Sequence, residues 1–93
     1  MPTTVIHVRD MRDGDVYIGR KAPGFPQGSI WGNPFHEGRD GTREEVIKKY
    51  RQYLREFPLL TAQIPALKGK RLACWCKPKA CHGDVLARLA EAL

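Results

Sequence analysis

The stretch from Lys21 to Gly41 can hold neither a helix nor a strand of any length. Pro23, Pro26 and Pro34 interrupt it, and Gly24, Gly28, Gly32, Gly38 and Gly41 loosen it further. Proline withholds a backbone donor and clashes with the preceding helical turn, while glycine loses the most entropy when held in regular structure. All regular structure must therefore lie on either side. A loop this long in a chain of 93 residues is uncommon unless it has a function. Phe25, Trp31 and Phe35 argue that it is ordered, because disordered linkers are poor in aromatic residues.

Before the loop, the β-branched run Thr3–Val8 reads as a strand. Asp13-Gly14-Asp15 supplies turn residues, and Val16–Gly19 reads as the returning arm of a β-hairpin. After the loop, Thr42 with Glu45 three residues on has the form of a capping box. Val46, Ile47, Tyr50, Tyr53, Leu54 and Phe57 then recur at helical spacing until Pro58 ends the helix. Leu59–Leu67 reads as a short helical piece, Arg71–Trp75 as a buried strand and Asp84–Leu93 as a closing helix. The expectation is one domain over residues 1–93, of α/β (or α+β) class. Its small mixed sheet starts with a β-hairpin, and two to three helices pack on it.

Composition narrows the function classes. Hydrophobic residues at 42% and charged residues at 28% fit a globular domain and argue against disorder. No apolar run approaches the roughly 18–20 residues that cross a bilayer, and the first residues lack the form of a secretory signal. A cytoplasmic protein without membrane contact is expected. Sixteen Lys and Arg against ten acids leave a formal net charge of +6, which suits a phosphate-bearing ligand, either a nucleotide or a nucleic acid. The plainer reading of the same charge is a solvated basic surface.

The three cysteines, Cys74, Cys76 and Cys81, fall in one short run that ends on His82. A disulfide framework staples distant segments, so clustering of this kind points to reactive thiols or metal ligands. Cys74 and Cys76, two apart on an extended chain, share a face, with Trp75 on the other. Cys81 and His82 arrive at a helix start, where unpaired N–H groups and the helix dipole favour negative charge. Cys76 and Cys81 are thus candidate reactive thiols and His82 a candidate acid, base or binder. Lys77 adds charge beside them, and Gly83 and Asp84 complete the turn. Asp84 is expected chiefly to cap the helix. The alternative set is zinc on Cys74, Cys76, Cys81 and His82, although adjacent Cys81 and His82 converge poorly on one ion. A third reading has the cysteines only packing, and Cys74 in particular filling the core.

The loop supplies a second candidate group. Ser29, Trp31, Gly32, Asn33 and Phe35 combine close backbone approach, polar side chains and flat ring surfaces for a base, with Arg20, Lys21 or Arg39 for phosphates. Against this, Trp31 or Phe35 taken singly is better read as a plug for a thin core beneath the loop.

The order Val16-Tyr17-Ile18-Gly19-Arg20, then Trp31-Gly32-Asn33-Pro34-Phe35, then Leu72-Ala73-Cys74-Trp75-Cys76-Lys77-Pro78 with Cys81-His82-Gly83-Asp84, resembles the domain-of-unknown-function family numbered 4326 over nearly the whole chain. The resemblance implies a stand-alone small α/β domain of bacteria and phages and carries no activity with it. The closing strand–cysteine–helix pattern is also similar, locally, to the C-terminal part of another α/β family, numbered 488, which has Cys-His-Arg in place of Cys81-His82-Gly83. The expectation taken forward is a pocket that binds or acts on a nucleotide or nucleic-acid base, in which Ser29, Asn33, Cys76 and His82 meet in one cleft. Its rival is a non-catalytic basic nucleic-acid-binding module, either stabilised by zinc or simply basic.

Overall fold

A computed structural model describes residues 2–93. Strand β1 runs Thr4–His7, β2 Val16–Tyr17 and β3 Arg71–Cys74, and the sheet order is β1-β3-β2. Leu72, Ala73 and Cys74 are all buried, so β3 forms the centre, and both neighbours pair with it in parallel. Val5 and Val16 stand opposite Leu72 from its two sides. The helices are α1 (Arg43–Arg55), α2 (Pro58–Thr61) and α3 (His82–Glu91). The fold is therefore α/β, with three helices on a small parallel sheet.

The expected β-hairpin does not form. Its turn exists: Gly14 takes φ of +92°, a conformation open to glycine, and the Asp15 carboxylate accepts from the Arg12 N–H at 2.8 Å. The two arms nevertheless do not pair with each other, because β3 inserts between them. A strand buried on both faces uses hydrogen bonds on both edges, and β3 takes one neighbour on each side. Its partners come from some sixty residues away along the chain, beyond the reach of a local turn pattern.

Helix α1 starts as its capping box requires. The Glu45 N–H donates to Thr42 Oγ1 at 3.2 Å, and the Thr42 N–H donates to the Glu45 carboxylate at 2.9 Å. Its inner face buries Val46, Tyr50 and Leu54. Pro58 opens α2 at the first helical position, where a missing N–H costs nothing. The helical piece expected over residues 59–67 is thus split into α2 and a 3₁₀ turn at Ile64–Leu67. Helix α3 starts two residues earlier than its apolar spacing indicates, because the Asp84 carboxylate accepts from the Cys81 N–H at 3.0 Å and caps the first turn.

The core joins Ile18 and Leu72 from the sheet region to Tyr50 and Leu54 of α1 and Leu86 and Ala90 of α3. Trp31 reaches down from the long loop to join them, only 5% exposed. Among the described residues no helix is long and apolar enough to cross a membrane.

Candidate functional site

The site is built where β3 ends. Beyond Cys74 the strand ends and the chain bends at Trp75 and Cys76. Cys74 is sealed in the core, Cys76 is half-buried, and Trp75 on the opposite face is 48% exposed. Trp75 Nε1 donates to the Tyr17 hydroxyl at 2.9 Å, and its ring meets Phe25 edge-on at 6.1 Å. The chain then turns through Lys77 and Pro78 and enters α3. Lys77 Nζ lies 2.9 Å from the Asp84 carboxylate, which ties the turn to the first turn of the helix.

The three cysteines come together. Cys74 Sγ and Cys81 Sγ are 3.1 Å apart, both buried, and Cys76 lies beside the pair. Hydrogen bonds from the Cys74 and Cys81 thiols, with the Arg43 guanidinium alongside, hold the Cys76 thiol far below its ordinary range. The same contacts, together with burial, push the Cys81 and Cys74 thiols up. The half-buried Cys76 thiol thus stands beside two buried thiols and the Arg43 guanidinium, a setting that favours ionisation at Cys76 over Cys74 or Cys81. Arg43, the first residue of α1, is held in place by the Ala80 carbonyl at 3.0 Å and the Glu37 carboxylate at 3.1 Å.

His82 is buried, and its Nε2 lies 2.7 Å from the Ile18 carbonyl, edge-on to the Tyr50 ring. A carbonyl only accepts, so Nε2 carries the proton. Burial lowers the imidazole pKa, which keeps the ring neutral and leaves Nδ1 as an acceptor. Gly83 follows because nothing larger fits: a Cβ there would stand 2.7 Å from Ile18 Cδ1 and 3.0 Å from Val5 Cγ1.

The facing wall is the loop. Asn33 is buried, donates from Nδ2 to the Val46 carbonyl at 3.3 Å, and accepts at Oδ1 from the Phe35 N–H at 2.9 Å. Its own carbonyl accepts from Arg20 Nη1 at 3.2 Å, so Arg20 is steered along the same wall. The buried Tyr50 hydroxyl donates to the Trp31 carbonyl at 2.7 Å. Between turn and loop lies a cleft of about 760 Å³ that reaches Cys76, Cys81 and His82 on one side and Asn33 and Phe35 on the other. Arg20, Lys21 and Arg43 also line it. It lies beyond the carboxyl ends of β2 and β3, where open parallel sheets ordinarily receive ligands.

The sequence pattern of the family described as Domain of unknown function (DUF4326) matches residues 6–92. This chain belongs to that family. It is 38% identical over 86 residues to the uncharacterized 12.4 kDa protein of the nrdA-td intergenic region of enterobacteria phage T4, a match covering 87% of this chain and 71% of that protein. It is also 38% identical over 87 residues to an uncharacterized protein of Acanthamoeba polyphaga mimivirus, across 81% of this chain and 65% of that one. No solved structure matches the chain.

In this DUF4326 chain the expected residues divide in two. Asn33, Phe35, Cys76, Cys81, His82 and Arg20 meet in the cleft. Ser29, Trp31, Gly32, Lys77, Gly83 and Asp84 do not line it. Trp31 is core, and the Ser29 hydroxyl accepts from the Trp31 N–H at 3.0 Å. Gly32 lets the loop approach Arg20, since a Cβ there would sit 3.2 Å from Arg20 Cγ. Gly83 is packed, and Asp84 caps α3 and pairs with Lys77. Arg39 lies outside the cleft and pairs with Asp40 at 2.8 Å.

The four-residue zinc set is not assembled. Among the described residues no group of three or more His, Cys, Asp or Glu side chains is placed to hold a metal ion. Successive residues at a helix start point about 100° apart, which sends His82 to Ile18 while Cys81 turns to Cys74. The residue that sequence reasoning missed is Arg43. In sequence it looks like one solvated cation of an amphipathic helix, and only the packing of α1 against the turn brings it to Cys76.

Proposed function

We propose that this protein binds a nucleotide or nucleic-acid base in the cleft between the Cys76–His82 turn and the Asn33–Phe35 loop, with the Cys76 thiolate as its reactive group. The observation that carries this reading is that the Cys76 thiol shares one cavity with Arg20, Lys21 and Arg43. Three cations favour a phosphate-bearing ligand, and arginine forks match phosphate oxygens in pairs. The Phe35 ring offers a face for stacking, and the cavity falls within the roughly 300–1,000 Å³ that suits a small ligand. His82 Nδ1 is an acceptor for a base N–H or a proton in transfer. Three free thiols suit a reducing compartment, so we place the protein in the cytoplasm.

Calorimetric titration with the common ribo- and deoxyribonucleotides tests the reading. Saturable binding is expected, weakened about tenfold by Arg20→Ala or Arg43→Ala, the loss typical of one charge-assisted hydrogen bond. Absence of binding to every one of them at millimolar concentration overturns it.

A further inference from the structure

A second cavity, of about 600 Å³, runs between α1 and α3. It shares Arg43, Ile47 and Ala80 with the cleft, so the two cavities adjoin at the start of α1. Its floor is apolar, from Ile47 and Val85, and its rim carries Arg43, Lys48, Arg51 and Arg88. Two acids share the rim, Glu44 and Asp84, and Asp84 is already engaged by Lys77 and the Cys81 N–H. Among the described residues Lys48, Arg51 and Arg88 take part in no ion pair or side-chain hydrogen bond. These three are therefore unpaired cations along a groove whose one unengaged acid is Glu44.

We infer that the ligand of the cleft is one nucleotide of a single-stranded polynucleotide, whose neighbouring phosphates lie along the groove between α1 and α3. The inference rests on the nucleotide reading of the cleft and narrows it. From Arg43 to Arg51 the helix rises roughly 12 Å, room for more than one phosphate. Lys48 and Arg51 share the face of α1 that carries Ile47, and Arg88 stands one turn from Asp84 on α3, so the cations flank the apolar floor from both sides. A cleft that takes in a base needs that base unstacked, which favours a single strand over a duplex. A free mononucleotide would leave the groove and its cations unused.

The test compares fluorescence anisotropy of labelled mixed-sequence ten-nucleotide DNA and RNA with competition by unlabelled mononucleotides. Wild-type protein is expected to bind a decanucleotide at least tenfold more tightly than any mononucleotide. The logarithm of its affinity should fall with log salt more steeply than that of a mononucleotide, by an added slope near −2, about −0.7 for each of three phosphate contacts in the groove. The triple variant Lys48→Gln/Arg51→Gln/Arg88→Gln should lose that advantage and that slope yet keep mononucleotide binding unchanged, with wild-type circular dichroism showing that it is folded. If the decanucleotide binds no tighter than a mononucleotide, or if the triple variant keeps the advantage, the groove assignment fails while the cleft reading stands. If poly-glutamate of equal charge displaces the decanucleotide as well as unlabelled decanucleotide does, the groove is a general anion track and the assignment to nucleic acid fails. If neither decanucleotide nor mononucleotide binds, the cleft reading fails and takes this inference with it.

Discussion

The two walls of the cleft are held by different forces. The turn from Cys76 to His82 hangs between a strand and a helix, so its backbone is carried by regular hydrogen bonding at both ends. The loop wall has no such frame. It is fastened by a buried tryptophan, by the Tyr50 hydroxyl on the Trp31 carbonyl, and by Asn33 reaching the Val46 carbonyl. The titratable sulfur chemistry sits on the framed wall, where a thiolate needs fixed neighbours. The loop sets the shape of the mouth and steers Arg20. Of the loop residues that look functional, Ser29, Trp31 and Gly32 act as fasteners, while Asn33 and Phe35 reach the cavity. In the turn Cys76, Cys81 and His82 all reach it, and Lys77 serves as the tie.

The largest expected break is therefore in the loop wall. Trp31→Ala removes the tryptophan that pins it and should cost about 3–5 kcal/mol in chemical denaturation, with ligand binding lost as well. A cost below about 1 kcal/mol would show that the loop is not held by the core. Gly83→Ala attacks the turn wall, since the new Cβ meets Ile18 and Val5 at the start of α3. Overpacking of this kind should cost about 1–3 kcal/mol in the same measurement, and an unchanged midpoint would mean that α3 can shift to accommodate it. The smallest effect is at Lys77→Ala. Its pair with Asp84 is partly exposed, so thermal melting should register less than about 1 kcal/mol, and a larger loss would make that pair a principal support of the turn.

Much of the turn wall is legible in the sequence, because its cues are local. Spacing puts Cys74 and Cys76 on one face, the tendency of cysteine to be buried puts Cys74 in the core, and Asp84 three residues past Cys81 predicts the cap that forms. Helix α1 is equally readable from Thr42, Glu45 and the spacing of Val46, Tyr50 and Leu54. The sheet is not. Val16 and Tyr17 follow a real turn, yet their partner is β3, and parallel pairing between distant segments leaves no local mark. Trp31 is ambiguous for a related reason, since a large ring in a loop serves a ligand or a core equally well until the neighbouring helix is placed. Arg43 reaches Cys76 across thirty-odd residues of chain, and no spacing rule announces that contact.

The central claim is that Cys76 is an ionised thiol facing a ligand cleft while Cys74 and Cys81 remain neutral and buried in its wall. Iodoacetamide alkylation followed residue by residue by mass spectrometry tests it most directly. The account predicts that Cys76 alone reacts in the native protein. Its rate should be nearly flat from pH 6 to 8, because a thiol whose pKa is depressed is already deprotonated there. At pH 6 it should exceed the rate of an ordinary cysteine by roughly tenfold, the gain in thiolate outweighing its lower intrinsic nucleophilicity. Arg43→Ala should restore part of the pH dependence, and a saturating nucleotide should slow the reaction. Equal modification of all three cysteines, or a Cys76 rate that climbs about tenfold per pH unit as an unperturbed thiol does, would contradict it.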